Sequence, residues 1–299
     1  MSGHHHHHHD VDISGTRLVV TMLLNFSISI VEIIGGLLSG SLSLISDALH
    51  NFSDGIAIVI SYVALRLSKQ PKSDQYTFGL KRAQILAAII NSGVLLAISV
   101  YLIREATTKL IHPQEINGGL MFLVASFGLI ANIIGTWLLH RGAKGNMNIR
   151  AAYLHLLSDA VSSVAVILGA LAIKFFDQYW VDPVLTLLIA VYIGWESWKI
   201  IQSAIDVLML KTPHGISLDA IETTIEEVPQ VYDAHHLHLW QVDEQDIHLE
   251  VHISVADVLL SATAPIAAQI EQALHDNFGI NHLTLQFETG CCLTDNHCH

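Results

Sequence analysis

The pattern His-x-x-x-Asp occurs twice inside long apolar stretches of this sequence, as HNFSD at 50–54 and as HLLSD at 155–159. Residues i and i+4 share one face of an α-helix, so each His would project beside its Asp. Imidazole nitrogen and carboxylate oxygen are ligands that Zn²⁺ accepts, and four of them suit its tetrahedral geometry. The repeat therefore predicts a metal site built from two helices, with His50, Asp54, His155 and Asp159 as ligands.

The elements that carry these residues are predicted to be membrane-spanning helices. The chain has 299 residues, of which 52% are hydrophobic and only 14% are charged. Apolar runs of about 20 residues are long enough to cross a bilayer. Such runs lie at 18–39, 44–66, 83–103, 118–139, 150–173 and 182–205. None of the six prolines lies deep inside a run, so we predict six unbroken spans.

The two His-Asp pairs are predicted to meet at one depth. The second and fifth spans are antiparallel, since three connections separate them. At about 1.5 Å per residue, both Asp54 and Asp159 lie near the middle of an apolar layer about 30 Å thick. A single buried His or Asp can be held by hydrogen bonds. An unpaired midplane charge costs at least about 3 kcal/mol, so four such residues favour a bound divalent cation.

The basic residues predict the orientation of the spans. Of the 14 Lys and Arg residues, eleven fall at one set of span ends and three, Arg104, Lys109 and Lys174, at the other. The positive-inside rule then places both termini in the cytoplasm. We expect no cleavable signal peptide, because the first apolar segment has full spanning length.

The last part of the chain has a different composition. Residues 212–299 contain no Lys or Arg, but fourteen acidic residues and ten of the 20 His. Periodicity predicts helices near 217–228 and 261–277 and strands near 231–241, 246–255 and 282–288, which is a small α+β domain of αββαβ order. Its negative charge disfavours nucleic-acid binding and favours cations as partners.

Several of these segments resemble the cation diffusion facilitators, which export zinc and related metal ions. The resemblance covers about 16–290 and rests on five motifs: SLSLISDALHNFSDG, YTFGLKRAQILAAIIN, AAYLHLLSDAVSSVAVILGA, DPVLTLLIAVYIGW and AHHLHLW. It implies a six-helix bundle followed by a ferredoxin-like cytosolic domain, a homodimer, and exchange of metal for protons. The family's transport site carries over to the quartet named above. Two His with two Asp resemble the zinc and cadmium branch, and Co²⁺ or Ni²⁺ are further candidate substrates.

Proton coupling also follows from the ligand types. Metal ligation requires neutral His and ionised Asp, so protons and metal compete for the same groups. Histidine, with a reference pKa near 6.5, is the ligand best suited to exchange protons near neutral pH.

The resemblance also implies a cytosolic metal site. His235, His252 and Glu288 match positions where the family binds regulatory zinc, although Ala264 stands where relatives often have a His. Strand alternation predicts that His236 and His238 point away from His235. Surface His residues without metal are the alternative.

The resemblance also implies a charge interlock. Arg82 and Asp206 match a family ion pair between the membrane and cytosolic parts; two unrelated interfacial charges are the alternative.

Other polar residues within the spans have weaker signals. Asp47 shares a helical face with His50 and could support it, or could be solvated or cap its helix. Glu32 and Asn132 could line a pathway, but Asn in a helix bundle also serves as an interhelical hydrogen-bond partner.

Both chain ends are rich in metal ligands. HHHHHH at 4–9 is either a purification tag or a native tail. The segment CCLTDNHCH at 291–299 could bind Zn²⁺ through Cys291, Cys292, His297 and Cys298, or could be a disordered tail with incidental cysteines. The predicted organisation is a tail at 1–15, a membrane domain at 16–208, a cytosolic domain at 209–290 and a tail at 291–299.

Together these features predict a homodimeric, proton-coupled zinc antiporter. No His-Glu-x-x-His motif is present, so we expect no enzyme. A membrane-anchored metal sensor or storage protein is the alternative, which would not need the midplane quartet. Short loops favour a bacterial inner membrane.

Overall fold

The computed structural model describes residues 11–140, 147–243 and 246–289. Six long helices are followed by a smaller mixed region. The long helices are α1 (Val11–Ser39), α2 (Leu42–Ser68), α3 (Ala83–Ile111), α4 (Gly118–His140), α5 (Met147–Phe176) and α6 (Val181–Leu208). The mixed region contains α7 (Leu218–Glu226), β1 (Val231–Gln241), β2 (Ile247–Val255), α8 (Leu260–Phe278) and β3 (His282–Glu288).

The long helices have the length and composition of membrane spans. Helices α2 to α6 each contain a stretch of at least 20 residues that is apolar enough on average to cross a membrane, and α1 contributes a shorter apolar stretch, Asn25–Ser39. Many large apolar side chains on these helices face outward, such as Leu123 and Trp137. Such surfaces are suited to lipid rather than to water. The predicted fold class, a helical membrane bundle followed by an α+β domain, is confirmed.

The chain divides into two compact units. The first contains residues 1–62 and 90–200, and the second contains 63–89 and 201–299. The division cuts α2, α3 and α6. The first unit therefore holds most of the spans, and the second holds the α2–α3 connection and the mixed region.

Within the first unit, α2, α4 and α5 share an apolar core. Leu44, Met121, Val124 and Val166 are buried in it. At the start of α4, a Cβ on Gly118 would lie 2.8 Å from the backbone N of Lys174. This contact is closer than any side chain allows, so only glycine lets the start of α4 approach the end of α5.

A buried carboxylate joins α6 to α2 in the first unit. Asp182, in the first turn of α6, is fully buried. It accepts hydrogen bonds from Ser41 Oγ at 2.6 Å, Ser43 Oγ at 2.6 Å, Leu42 N at 2.8 Å and Ser43 N at 3.1 Å. The first N–H groups of a helix have no partner inside the helix, and a carboxylate satisfies them while also stabilising the helix dipole. Asp182 therefore fixes the start of α2, the helix that carries His50 and Asp54.

The second unit contains a three-stranded sheet in the order β1-β2-β3. β1 pairs with β2 in the antiparallel sense, and β2 pairs with β3 in the parallel sense. Apolar residues of β2 such as Val251 and Ile253 pack against Ile225 of α7 and Ile270 of α8. Alternate residues of β2, including His252, lie on the other face and are partly exposed. The predicted αββαβ order is confirmed.

Candidate functional site

Helix α2 brings His50 and Asp54 together as their spacing predicts. Nε2 of His50 lies 3.4 Å from Oδ2 of Asp54, and both side chains are partly buried. The two ligand atoms therefore lie side by side within an apolar helix, which is the arrangement that two ligands of one metal ion require.

Helix α5 places Asp159 near this pair. Asp159 is buried, and its carboxyl lies close enough to Asp54 for their charges to interact. His155 lies on α5 four residues earlier, and its side chain is outside the described part of the structure. Among the described residues, the ligand atoms of His50, Asp54 and Asp159 are not all within 4.8 Å of one another, so a shared ion requires these side chains to come closer together. The full quartet stays a prediction.

Asp47, three residues before His50 on α2, is shielded from solvent. It is 3% exposed and accepts a hydrogen bond of 2.8 Å from Ser162 Oγ of α5. It also interacts electrostatically with His50 and Asp159. The solvated and capping roles considered for Asp47 are wrong, because the residue lies inside α2 and is buried against α5. A supporting role toward His50 fits this position.

The three predicted cytosolic ligands converge on one face of the sheet. His235 and His252 are paired across β1 and β2. His252 Nδ1 lies 2.8 Å from Glu288 Oε1, and His235 Nε2 lies 3.6 Å from Glu288 Oε2. Among the residues that the structure describes, this is the only set of three such residues whose ligand atoms all lie within 4.8 Å of one another.

Asp233 supports this cluster, although the sequence analysis did not predict it. Its Oδ2 lies 2.8 Å from His235 Nδ1. A carboxylate on one imidazole nitrogen leaves the other nitrogen facing a metal, which is the usual arrangement around metal-bound His. The signal was present as an acidic residue two positions before His235, on the same face of β1.

The prediction that His236 points away from this face is wrong. Its ring stacks on that of His252, with centroids 5.0 Å apart and an interplanar angle of 25°. The register of β1 shifts between His235 and His238, and His236 has a φ of 58°. A β-bulge of this kind adds a residue and breaks the alternation of side chains, so His235 and His236 both approach His252.

Two family models match the chain. The model of the cation efflux transmembrane domain matches residues 18–209, and that of the cation efflux protein cytoplasmic domain matches 213–290. The chain belongs to the cation efflux family, the cation diffusion facilitators. Both candidate sites lie inside the matched ranges.

Similar cation efflux proteins come from several bacteria. The cadmium, cobalt and zinc/H(+)-K(+) antiporter of Bacillus velezensis is 38% identical over 282 residues, which is 93% of this chain and 90% of the relative. The metal cation efflux system protein CzcD of Cupriavidus metallidurans is 35% identical over 275 residues, covering 92% and 87%. The zinc transporter ZitB of Escherichia coli is 34% identical over 290 residues, covering 94% and 90%.

The two residues of the predicted charge interlock do not form an ion pair with each other in the described part of this cation efflux protein. Asp206 pairs with Lys211. Lys81, the residue before Arg82, pairs with Asp246 in the loop between β1 and β2. The link between the α2–α3 connection and the sheet therefore uses the neighbouring cation, and an Arg82–Asp206 pair stays a prediction.

The imidazole of His248 is buried close to Lys81 of this ion pair. The ring of His248 lies 4.4 Å from that of His282 and 5.6 Å from that of Phe78. Burial lowers the pKa of His248, and His282, Lys81 and Lys72 lower it further, while Asp243 opposes them. His248 therefore favours its neutral form, which is compatible with the two nearby lysines.

This pKa shift predicts weaker stability in acid. An unfolded His has a pKa near 6.5. Because the folded pKa is lower, the unfolded state takes up the proton first, and stability is lost as the pH falls below about 6.5. We expect the thermal midpoint of the purified protein to fall more between pH 7.5 and 5.5 in wild type than in His248→Gln. The exposed His275→Gln serves as control; equal falls in wild type and His248→Gln would contradict the assignment.

Two sets of predicted ligands lie outside the described residues. These are the histidines at 4–9 and the tail residues Cys291, Cys292, His297 and Cys298.

Proposed function

We propose that this chain is a proton-coupled antiporter that exports Zn²⁺ from the cytosol through His50, Asp54, His155 and Asp159. The observation that carries the proposal is the His50–Asp54 pair on α2 with the buried Asp159 of α5 beside it. A stable helix bundle does not require these groups, because each charge at this depth costs free energy. A divalent cation offsets that cost.

Competition between protons and metal gives the transport cycle. Opening toward the cytosol lets Zn²⁺ displace protons from the four ligands. Opening to the other side lets protons displace Zn²⁺. An inward proton gradient then drives export, and no catalytic step on a substrate is involved.

The printed names of the relatives support this substrate class. The Bacillus velezensis relative is named for cadmium, cobalt and zinc, and the Escherichia coli relative for zinc. We extend the proposal to Cd²⁺ and Co²⁺, and to Ni²⁺ on ligand chemistry, since nitrogen and carboxylate ligands suit all of these ions.

The proposal includes the membrane and the assembly. The excess of basic residues at one set of span ends favours cytoplasmic termini, and bacterial relatives favour a bacterial inner membrane. The cytoplasmic domain at 213–290 favours a homodimer. The boundaries at 15, 208 and 290 are part of the same proposal, and the matched ranges 18–209 and 213–290 lie close to them.

The cytosolic cluster is proposed to bind regulatory zinc. His235 and His252 offer nitrogen and Glu288 offers oxygen, which leaves a fourth position on a tetrahedral ion. Asp233 would hold His235 in the tautomer whose Nε2 faces the ion. Binding here would join β1, β2 and β3, so the sheet would respond to cytosolic zinc.

The cytosolic site gives a binding prediction. His252→Ala removes one of three ligands, so we expect zinc affinity at this site to fall by at least about tenfold. Asp54→Asn/Asp159→Asn protein is the background, because it disables the proposed transport site. Titration against a competing chelator measures the change. His275→Ala, which alters an exposed histidine outside the cluster, should bind as the background does; an unchanged affinity in His252→Ala would reject the site.

Flux into vesicles tests the function. The purified protein is reconstituted into liposomes with an imposed pH gradient, and Zn²⁺ movement is followed with an enclosed dye. We expect flux that follows the gradient and reverses with it. Saturable Zn²⁺ binding without flux for any divalent ion would instead support the sensor or storage function.

A further inference from the structure

A second polar cluster lies beside the proposed transport quartet in the first unit. Glu32 of α1 is 1% exposed, and Asp47 and Asn51 of α2 are 3% and 0% exposed. The carboxyl of Glu32 lies close enough to Asp47 for their charges to interact, and the amide of Asn51 lies beside it. Two carboxylates and an amide thus share one buried region between α1 and α2.

Several polar atoms of this cluster lack a well-formed hydrogen bond to the described part of the chain. Among the described residues, Glu32 Oε2 and both polar side-chain atoms of Asn51 lie outside good hydrogen-bond geometry, although the Asn51 amide approaches the Glu32 carboxyl as a donor. A buried polar atom without a partner costs about 1–3 kcal/mol. Residues that only hold helices together would form hydrogen bonds with one another. Asp47 accepts a hydrogen bond from Ser162, but Glu32 Oε2 and Asn51 Oδ1 are left available as ligands for a cation.

The structure makes room for Glu32 specifically. Gly128 of α4 packs against Glu32 Oε1, and a Cβ at this position would clash with that oxygen. A side chain at this position would therefore displace the end of the Glu32 side chain. Asn132, one helical turn further along α4, is also fully buried, with both of its polar side-chain atoms unpartnered among the described residues.

The cluster lies next to the proposed metal quartet. Asp47 is three residues before His50 on one face of α2, and its charge interacts with both His50 and Asp159. One helical turn advances about 5 Å. Asp47 is displaced from His50 toward the start of α2, which is the non-cytoplasmic end in the proposed orientation.

The two sets of ligands differ in chemistry. The quartet combines imidazole nitrogen with carboxylate oxygen, whereas Glu32, Asp47 and Asn51 offer oxygen alone. Nitrogen ligands favour Zn²⁺, and oxygen ligands suit harder ions such as Mn²⁺ and hold Zn²⁺ less selectively. An ion moving from the quartet to the cluster would meet a weaker site on the way out.

We infer that Glu32, Asp47 and Asn51 form a second, all-oxygen cation site that receives the divalent metal as it leaves His50 and Asp54. This inference rests on the proposed export function for its direction, but not for the existence of the site. The site divides one release step into two, and its carboxylates offset the positive charge of the departing ion.

Binding of Mn²⁺ tests the site without transport. Mn²⁺ is titrated into the full chain carrying Asp54→Asn/Asp159→Asn, and bound ions are counted by loss of the free Mn²⁺ resonance in electron paramagnetic spectra. We expect addition of Glu32→Gln to remove about one ion per chain. Addition of Glu115→Gln, at an exposed glutamate, should remove none. Equal counts with and without Glu32→Gln would overturn the inference.

A second pair of variants keeps every ligand in place. Gly128→Ala should displace Glu32 and remove the same ion, whereas a Cβ on Gly93 meets nothing within 4 Å, so Gly93→Ala should retain it. Retention of the ion in Gly128→Ala would contradict the site. Failure of the proposed function would appear separately, as absent flux in wild type. In a wild type that transports Zn²⁺, Glu32→Gln should lower the maximal rate more than the half-saturating Zn²⁺ concentration.

Discussion

Asp159→Asn is expected to reduce Zn²⁺ flux by at least about 100-fold. Asparagine has nearly the shape of aspartate, but it cannot supply the anionic oxygen that metal ligation requires. Asp159 is buried next to Asp54, so no solvent-exposed carboxylate can replace it. The same change removes an exchangeable proton, so both metal loading and proton return should fail.

Flux into liposomes under an imposed pH gradient measures this effect. Ser27→Ala is the control, because Ser27 is on a spanning helix and, among the residues that the structure describes, its hydroxyl bonds only to Leu23 O of its own helix. Control and variant should reconstitute equally, and the control should transport at the wild-type rate. Flux in Asp159→Asn within a few-fold of wild type would remove Asp159 from the transport site.

Asp182→Asn is expected to destabilise the first unit by about 2 kcal/mol or more. The buried carboxylate accepts four hydrogen bonds from the start of α2, two of them at 2.6 Å. An amide has only one oxygen acceptor, and its NH₂ group would face N–H and O–H donors. The start of α2 would lose its fixed position, so flux should fall together with stability.

Thermal unfolding of the purified protein measures the stability change. Asp177→Asn is the matched control, because Asp177 lies five residues earlier, in the connection between α5 and α6, and is exposed. We expect a lowered midpoint for Asp182→Asn and an unchanged one for Asp177→Asn. Equal midpoints for the two variants would show that the hydrogen bonds to Asp182 contribute little.

Much of the fold could be predicted from local patterns. The second and fifth elements of the cytosolic region, β1 and β3, begin and end at the predicted residues, because apolar alternation and turn residues mark them directly. Helix α3 ends at Ile111, eight residues beyond the predicted apolar run. Polar residues such as Arg104 and Glu105 are good helix formers, so a helix continues where an apolar run ends.

The contacts that position the sites could not be predicted in this way. Asp182 and Ser41 are 141 residues apart, and no local pattern connects them. The bulge at His236 requires a positive φ in a residue other than glycine, which the sequence does not signal. Lys81 and Asp246 likewise meet only in the folded chain. The metal-ligand residues could be predicted, because their side-chain chemistry and their i, i+4 spacing are visible within a few residues of sequence.

The hydrogen bonds to Asp182 hold the start of α2 in place, so a tilt of α2 would pivot about this point. Taking α2 as a rigid rod from Leu42, Asp47 lies about 8 Å from this point and Asp54 about 18 Å from it. A tilt of about 10° would then move Asp47 by about 1 Å and Asp54 by about 3 Å. Metal–ligand distances tolerate only about 0.2 Å. A small tilt of α2 is therefore enough to make or break metal coordination at Asp54, while the residues at the fixed start of the helix hardly move.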